Sequence, residues 1–148
     1  MYKPSDYISA ENSVLKYIPQ RPPFVMVDEL VFCSKEQTQT TFIIKKDNLF
    51  LVNNQFTEMG ILENIAQTCA VRLGYLNRRQ PIKIGVIGSV DNLEMQYLPF
   101  VGDKIITTIT IMTEVLNVIL LSAVVFCGEK AVATSNMKVV LTDIVSEQ

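Results

Sequence analysis

The sequence predicts an α+β domain in which an antiparallel β-sheet wraps around one long central helix. Three observations predict it: two strand-like segments come first, a single helical pattern follows, and four more strand-like segments close the chain with no return of helical period. Only one helix is then present to cover the apolar face of the sheet, and a sheet curled around that helix meets the requirement. A chain of 148 residues can bury one continuous core, and no repeat, low-complexity tract or Gly/Ser-rich linker divides it, so one domain over residues 1–148 is expected.

The first punctuation is Pro19, Pro22 and Pro23, which fix backbone angles and disfavour helix around Gln20 and Arg21, so this segment is expected as a rigid, extended loop. Phe24 to Cys33 and Thr38 to Lys45 are rich in aromatic and β-branched residues and are separated by the polar Ser34-Lys35-Glu36-Gln37, the pattern of a hairpin. Between Thr57 and Leu76, the residues Ile61, Leu62, Ile65, Ala66, Cys69, Leu73 and Leu76 recur at intervals of three and four, as on an amphipathic helix. Asn77-Arg78-Arg79-Gln80-Pro81 ends it, with cations near the negative end of the helix dipole and a proline that blocks continuation. Lys83 to Met95, Lys104 to Val115, Val118 to Cys127 and Ala131 to Thr142 are expected as strands. In the last, Ala131, Ala133, Ser135, Met137, Val139 and Leu141 form the expected buried face, while the strongly apolar Val118 to Cys127 reads as a buried strand.

Composition narrows the function. The 13 Lys+Arg against 15 Asp+Glu provide no overall basic field to hold a polyanion, so nucleic acid is not an expected partner. The stretch Val118 to Cys127 is about half the ~20 residues of a membrane helix, so no membrane span is expected. Met1-Tyr2-Lys3-Pro4-Ser5-Asp6 lacks a basic stretch followed by an apolar one, which points to a cytoplasmic protein. Cys33, Cys69 and Cys127 are odd in number and widely spaced, which suits small buried thiols in a reducing compartment rather than a disulfide or metal site. The chain has no histidine, which removes His-based triads, the usual zinc sites and imidazole as a proton carrier.

Two segments carry a family resemblance. Ile18-Pro19-Gln20-Arg21-Pro22-Pro23-Phe24-Val25-Met26-Val27-Asp28 resembles the Leu-Pro-His-Arg-x-Pro-Phe-Leu-Leu-Val-Asp segment of the 3-hydroxyacyl-acyl-carrier-protein dehydratases, with glutamine in place of histidine. Gly60-Ile61-Leu62-Glu63-Asn64-Ile65-Ala66-Gln67 is similar to their helix segment ending Leu-Glu-Ala-Met-Ala-Gln, and the stretch from Gly88 to Asp103 is similar to their strand and turn before the last hairpin. The similarity runs from Val14 to Thr142 and implies a hotdog fold. It also implies catalytic positions at Glu63 and Gln20, and substrate-binding positions at Gly60, Gln67 and Phe24. No cofactor or metal is implied. The implied partners are an acyl-carrier-protein or CoA thioester and a second hotdog chain, as homodimer or heterodimer, with histidine from one chain meeting the helix acid of the other.

The substitution bears on chemistry. In the implied dehydration a histidine removes the C2 proton while the acid assists loss of the C3 hydroxyl, and an amide at Gln20 cannot accept that proton. Dehydratase activity of the chain's own is therefore expected to be impaired or lost. The family's Pro-Gly pair at the helix start is replaced by Thr57-Glu58, where Glu58 stands to crowd or repel a developing oxyanion. Taken alone, Glu63 reads as a solvated acid on a helix face and Gln20 as a surface-loop amide. Arg72, Arg78, Arg79 and Lys83 read as ordinary surface cations rather than a carrier-protein site. Three functions remain open at this level: a dehydratase-like subunit completed by a histidine-bearing partner, a thioesterase using Glu63, and a non-catalytic acyl-binding or scaffold protein.

Overall fold

The structure, a computed structural model, describes residues 13–145. The segment Met1 to Asp6 lies outside them. A short 3-10 turn, Val14–Lys16, leads into the proline-rich loop, where the Pro22–Pro23 peptide bond is cis. Strands β1 (Glu29–Cys33) and β2 (Gln37–Ile43) form the expected hairpin, and the two-residue strands β3 (Leu51–Val52) and β4 (Gln55–Phe56) form a miniature one. Helix α1 (Glu58–Leu76) follows, then β5 (Lys83–Met95), β6 (Lys104–Val115), β7 (Val118–Cys127) and β8 (Lys130–Val145). The large sheet is antiparallel in the order β1-β2-β6-β7-β8-β5, with β5 at one edge.

The helix begins where its capping chemistry requires: Thr57 is extended and its hydroxyl accepts the Gly60 N–H at 3.4 Å. Its apolar residues Ile61, Ile65 and Cys69 are fully buried against Ile105 and Ile109 of β6, Ile119 and Leu121 of β7, and Met137 and Val139 of β8. A second stripe, Asn64, Thr68 and Arg72, is also buried. Most of its polar groups are matched by the surrounding elements, the exceptions among the described residues being Arg72 Nε and Nη1. Asn64 donates to the Met26 carbonyl at 2.7 Å and accepts from Thr107, while Thr68 shares a hydrogen bond of 2.8 Å with Thr40. Arg72 donates to the Lys35 carbonyl and to Glu114, so it is a buried structural cation and not the surface charge expected from sequence.

Three further differences have local causes. The first strand starts at Glu29 rather than Phe24, because the backbone at Phe24 and Met26 hydrogen-bonds to helix side chains instead of a neighbouring strand. Strand β7 alternates rather than being buried throughout, with Ile119, Leu121, Ala123 and Val125 inward and Leu120, Val124 and Phe126 partly exposed, as for a sheet with one face on the core. In β8, Ser135, Met137 and Val139 point inward as expected. The pairing slips between Val125 and Phe126, leaving Val132 as an extra residue, so Val132 and Ala133 are both buried.

The loop before β1 packs closely on the helix. A Cβ at Gly74 would collide with the Tyr17 carbonyl, so glycine is needed there for the 3-10 turn to lie against α1. Gly74→Ala should therefore cost about 1–3 kcal/mol, the usual range for overpacking. The loss should appear as a lower urea midpoint with an unchanged slope; an unchanged midpoint would mean that this close approach does not contribute to stability.

Candidate active-site cavity

The helix presents a third stripe away from the core. Glu63, Ala66, Ala70, Leu73 and Asn77 recur at spacings of three and four and line one wall of a cavity of about 410 Å³. The opposite wall is Gly85, Val86 and Ile87 of β5 with Val139 and Leu141 of β8, and Pro19 and Gln20 form a third side. Glu63 and Asn77 are about 21 Å apart along the helix axis. Its walls combine apolar residues with the polar Gln20, Glu63, Asn77, Gln80, Lys83 and Glu114. Its volume lies within the ordinary range for small-molecule sites, about 300–1,000 Å³.

Gln20 and Glu63 thus line one cavity within a single chain, whereas the resemblance implied a meeting across two chains. Glu63 is held by its neighbour one helical turn on: Gln67 Nε2 donates to Glu63 Oε1 at 2.9 Å. Glu63 Oε2 has no hydrogen-bond partner among the described residues. The same Gln67 amide donates to the Phe24 carbonyl at 2.8 Å and accepts the Met26 N–H at 2.7 Å. Gln67 is fully buried and its lining role is nil; it joins loop to helix and orients Glu63 from behind. The Gln20 Oε1 atom is buried and has no hydrogen-bond donor among the described residues.

Two other residues expected at the site stand elsewhere. Phe24 contributes its backbone carbonyl to Gln67, while its ring is 59% exposed and off the cavity wall. Gly60 is buried at the helix start, off the cavity wall, where a Cβ would collide with the Phe56 ring. Glu58 is exposed and also off the cavity wall. Residues that sequence reasoning missed are Ala66, Ala70 and Gly74, whose small size leaves the space, and Glu114, which reaches the cavity from the end of β6. The alternation of small residues on one helix face was the available signal.

The thiols play no part in this cavity. Burial pushes the Cys69 thiol up to about 12, against an opposing pull from the Arg72 guanidinium. All three cysteines are free, and no cluster of His, Cys, Asp or Glu that could hold a metal occurs among the described residues. No helix among the described residues is long and apolar enough to cross a membrane.

The sequence pattern of the ApeP-like family, described as ApeP dehydratase, matches residues 12–147. No curated protein matches the chain in sequence. In three dimensions the chain is similar to the dehydratase heterocomplex ApeI:P from Xenorhabdus doucetiae, with a TM-score of 0.83 at 14% identity over 89% of this chain and 92% of that one. It is also similar to Cj0977, a sigma28-regulated virulence protein from Campylobacter jejuni (TM-score 0.68, 14% identity, 94% of this chain and 96% of that one). A hypothetical thioesterase from Streptococcus pneumoniae, solved with coenzyme A, gives a TM-score of 0.60 at 10% identity over 77% and 84% of the two chains. These likenesses show a hotdog fold.

Two predictions follow from the geometry. Gln67→Leu leaves the buried Met26 N–H and the part-buried Phe24 carbonyl without their partner and should cost roughly 2–6 kcal/mol in urea unfolding, at about 1–3 per orphaned group; a near-neutral effect would show that loop and helix are held by other contacts. The folded Cys69 thiol keeps its proton to a higher pH than the unfolded thiol, so the folded state binds more protons between about 9 and about 12 and its stability falls as pH rises through that window. Cys69→Ala should remove up to about 1.4 kcal/mol per pH unit of that decline. Stability curves that stay parallel above pH 9 in both proteins would contradict it.

Proposed function

The chain belongs to the ApeP-like dehydratase family, and from that premise we propose that it binds a 3-hydroxyacyl thioester of acyl carrier protein or CoA in the cavity between α1 and β5. In this reading Glu63 is the acid group of the reaction and Gln20 stands where a general base is required. The observation that carries it is the placement of both residues on the walls of one cavity of mixed polar and apolar lining. The buried Gln20 oxygen without a donor adds support, since a substrate hydroxyl would satisfy it, and an unmatched buried acceptor costs about 1–3 kcal/mol.

Elimination requires the C2–H bond to break toward a base, the C2–C3 double bond to form, and the C3 hydroxyl to leave as water with a proton from the acid. Glu63 suits the last role. Its Oε1 is engaged by Gln67, which leaves Oε2 to face a ligand. Gln20 can orient a carbonyl or hydroxyl but cannot take the C2 proton, so the chain alone lacks general-base catalysis, a loss of typically ~100- to 10,000-fold. We assign the missing base to a histidine on a related hotdog subunit. Strand β5 supports such pairing: it is a long edge strand, paired only with β8 among the described residues, with Val86 49% and Ile87 39% exposed. The ApeI:P complex, a dehydratase of two different chains, is the structural parallel for that arrangement.

The decisive assay follows enoyl product from 3-hydroxyacyl-carrier protein. The natural chain alone should turn over slowly or not at all, Gln20→His should gain about 100-fold or more, and Glu63→Gln in that background should abolish the gain. Thioester binding with no gain in Gln20→His would favour an acyl-binding protein without catalysis. Thiol release without enoyl formation, lost in Glu63→Gln, would favour a thioesterase, and absence of thioester binding would sink the reading.

A further inference from the structure

The cavity contains a carboxylate that the proposed reaction does not use. Glu114, near the end of β6, lines it and is placed along the helix by its ion pair with Arg72. Its helix partner Arg72 stands nine residues beyond Glu63 in sequence, about 13 Å along the axis. Lys83 is the other charged residue on the walls besides Glu63, and sheet register shows where Glu114 stands. Glu114 pairs with Ile119, Ile119 with Val139, and Val139 with Ile87, so one carboxylate ends a row across four strands that is otherwise apolar.

Glu114 is also fixed in place. Arg72 is 3% exposed and donates from Nη2 to Glu114 Oε2 at 3.2 Å and to the Lys35 carbonyl at 2.9 Å. Its Nε and Nη1 groups are buried without a hydrogen-bond partner among the described residues. If Glu114 swung away, a buried guanidinium would lose its counter-charge, which is strongly unfavourable. The carboxylate therefore stays at the cavity wall, with 42% of its side chain still exposed.

We infer that Glu114, pinned by Arg72, is a specificity-determining residue that sets the longest hydrocarbon chain the cavity accepts. The inference rests on the acyl-thioester reading of the cavity and names a feature of its substrate. Each methylene buried between Ala66, Ala70 and Val139 adds about fourfold to affinity by leaving water. A chain long enough to reach Glu114 strips water from a charge and returns no hydrogen bond, so further methylenes bring no gain.

The test measures dissociation constants for saturated 3-hydroxyacyl pantetheine thioesters lengthened two carbons at a time. Three proteins are compared: wild type, Glu114→Gln, which keeps an acceptor for Arg72 without the charge, and Arg72→Met combined with Glu114→Leu, which removes both partners. In wild type, affinity should rise with length and then stop. In the double variant the rise should continue past that length at about fifteenfold per two-carbon step, with a smaller continued rise in Glu114→Gln. Because Glu114→Gln preserves the Arg72 contact, the comparison stands even where the double variant does not fold. The same stopping length in wild type and Glu114→Gln, and in any folded double variant, overturns the inference while leaving the acyl-binding reading intact. Absence of binding at every length in all folded proteins overturns both.

Discussion

The amide of Gln67 is the joint on which this site is built. It is fully buried, accepts the Met26 N–H, and donates to the Phe24 carbonyl and to Glu63. Asn64, one turn earlier, adds a bond to the Met26 carbonyl. Between them these two side chains replace the strand partner that residues 24–26 lack, so the proline-bounded loop lies along the helix instead of joining the sheet. That course places Gln20 on the cavity wall, and the third bond of Gln67 aims Glu63 at the same space. One side chain thereby serves both the fold and the geometry of the two polar residues.

A helix enclosed by a curled sheet has little surface left for water. Its polar residues must find partners inside the protein, and they do so in a stripe: Asn64 with Met26 and Thr107, Thr68 with Thr40, and Arg72 with Lys35 and Glu114. The cost of an unmatched buried polar group makes this arrangement specific, because any rotation of α1 would orphan several groups at once. The apolar stripe of Ile61, Ile65 and Cys69 supplies area but would tolerate small rotations. The remaining face carries Ala66, Ala70 and Gly74 between Glu63, Leu73 and Asn77, and the space that the small residues leave is the cavity.

Much of this was legible in the residues. The bounds expected for β5, β6 and β7 agree with those observed, and the helix begins one residue inside its expected start because Thr57 acts as its cap. Period-2 and period-3.6 patterns are strong over segments of this length, and the prolines and tight turns mark their ends. The small β3–β4 hairpin escaped because two-residue strands have no periodicity; its signal was Asn53-Asn54, whose φ angles of 51° and 63° suit a tight turn. The buried polar stripe escaped because hydropathy assigns Asn, Thr and Arg to solvent, and only their matched partners reveal otherwise. Gly60 and Phe24 were placed at the site by family resemblance, but local packing against Phe56 and a backbone bond to Gln67 account for them here. That Gln20 and Glu63 line one cavity within one chain depends on the path of the loop, which no pattern in either segment specifies.

The chemistry then turns on what an amide can do beside a carboxylate. It can hold a substrate oxygen in place and cannot carry a proton away, so a site of this composition binds and orients more readily than it eliminates. A crystal structure with an unreactive 3-hydroxyacyl pantetheine amide tests this most directly. The account predicts the C3 hydroxyl within hydrogen-bond reach of Glu63, an amide contact from Gln20, and the acyl chain lying along Ala66 and Ala70. A ligand seated elsewhere, with the space between α1 and β5 left empty, would contradict it.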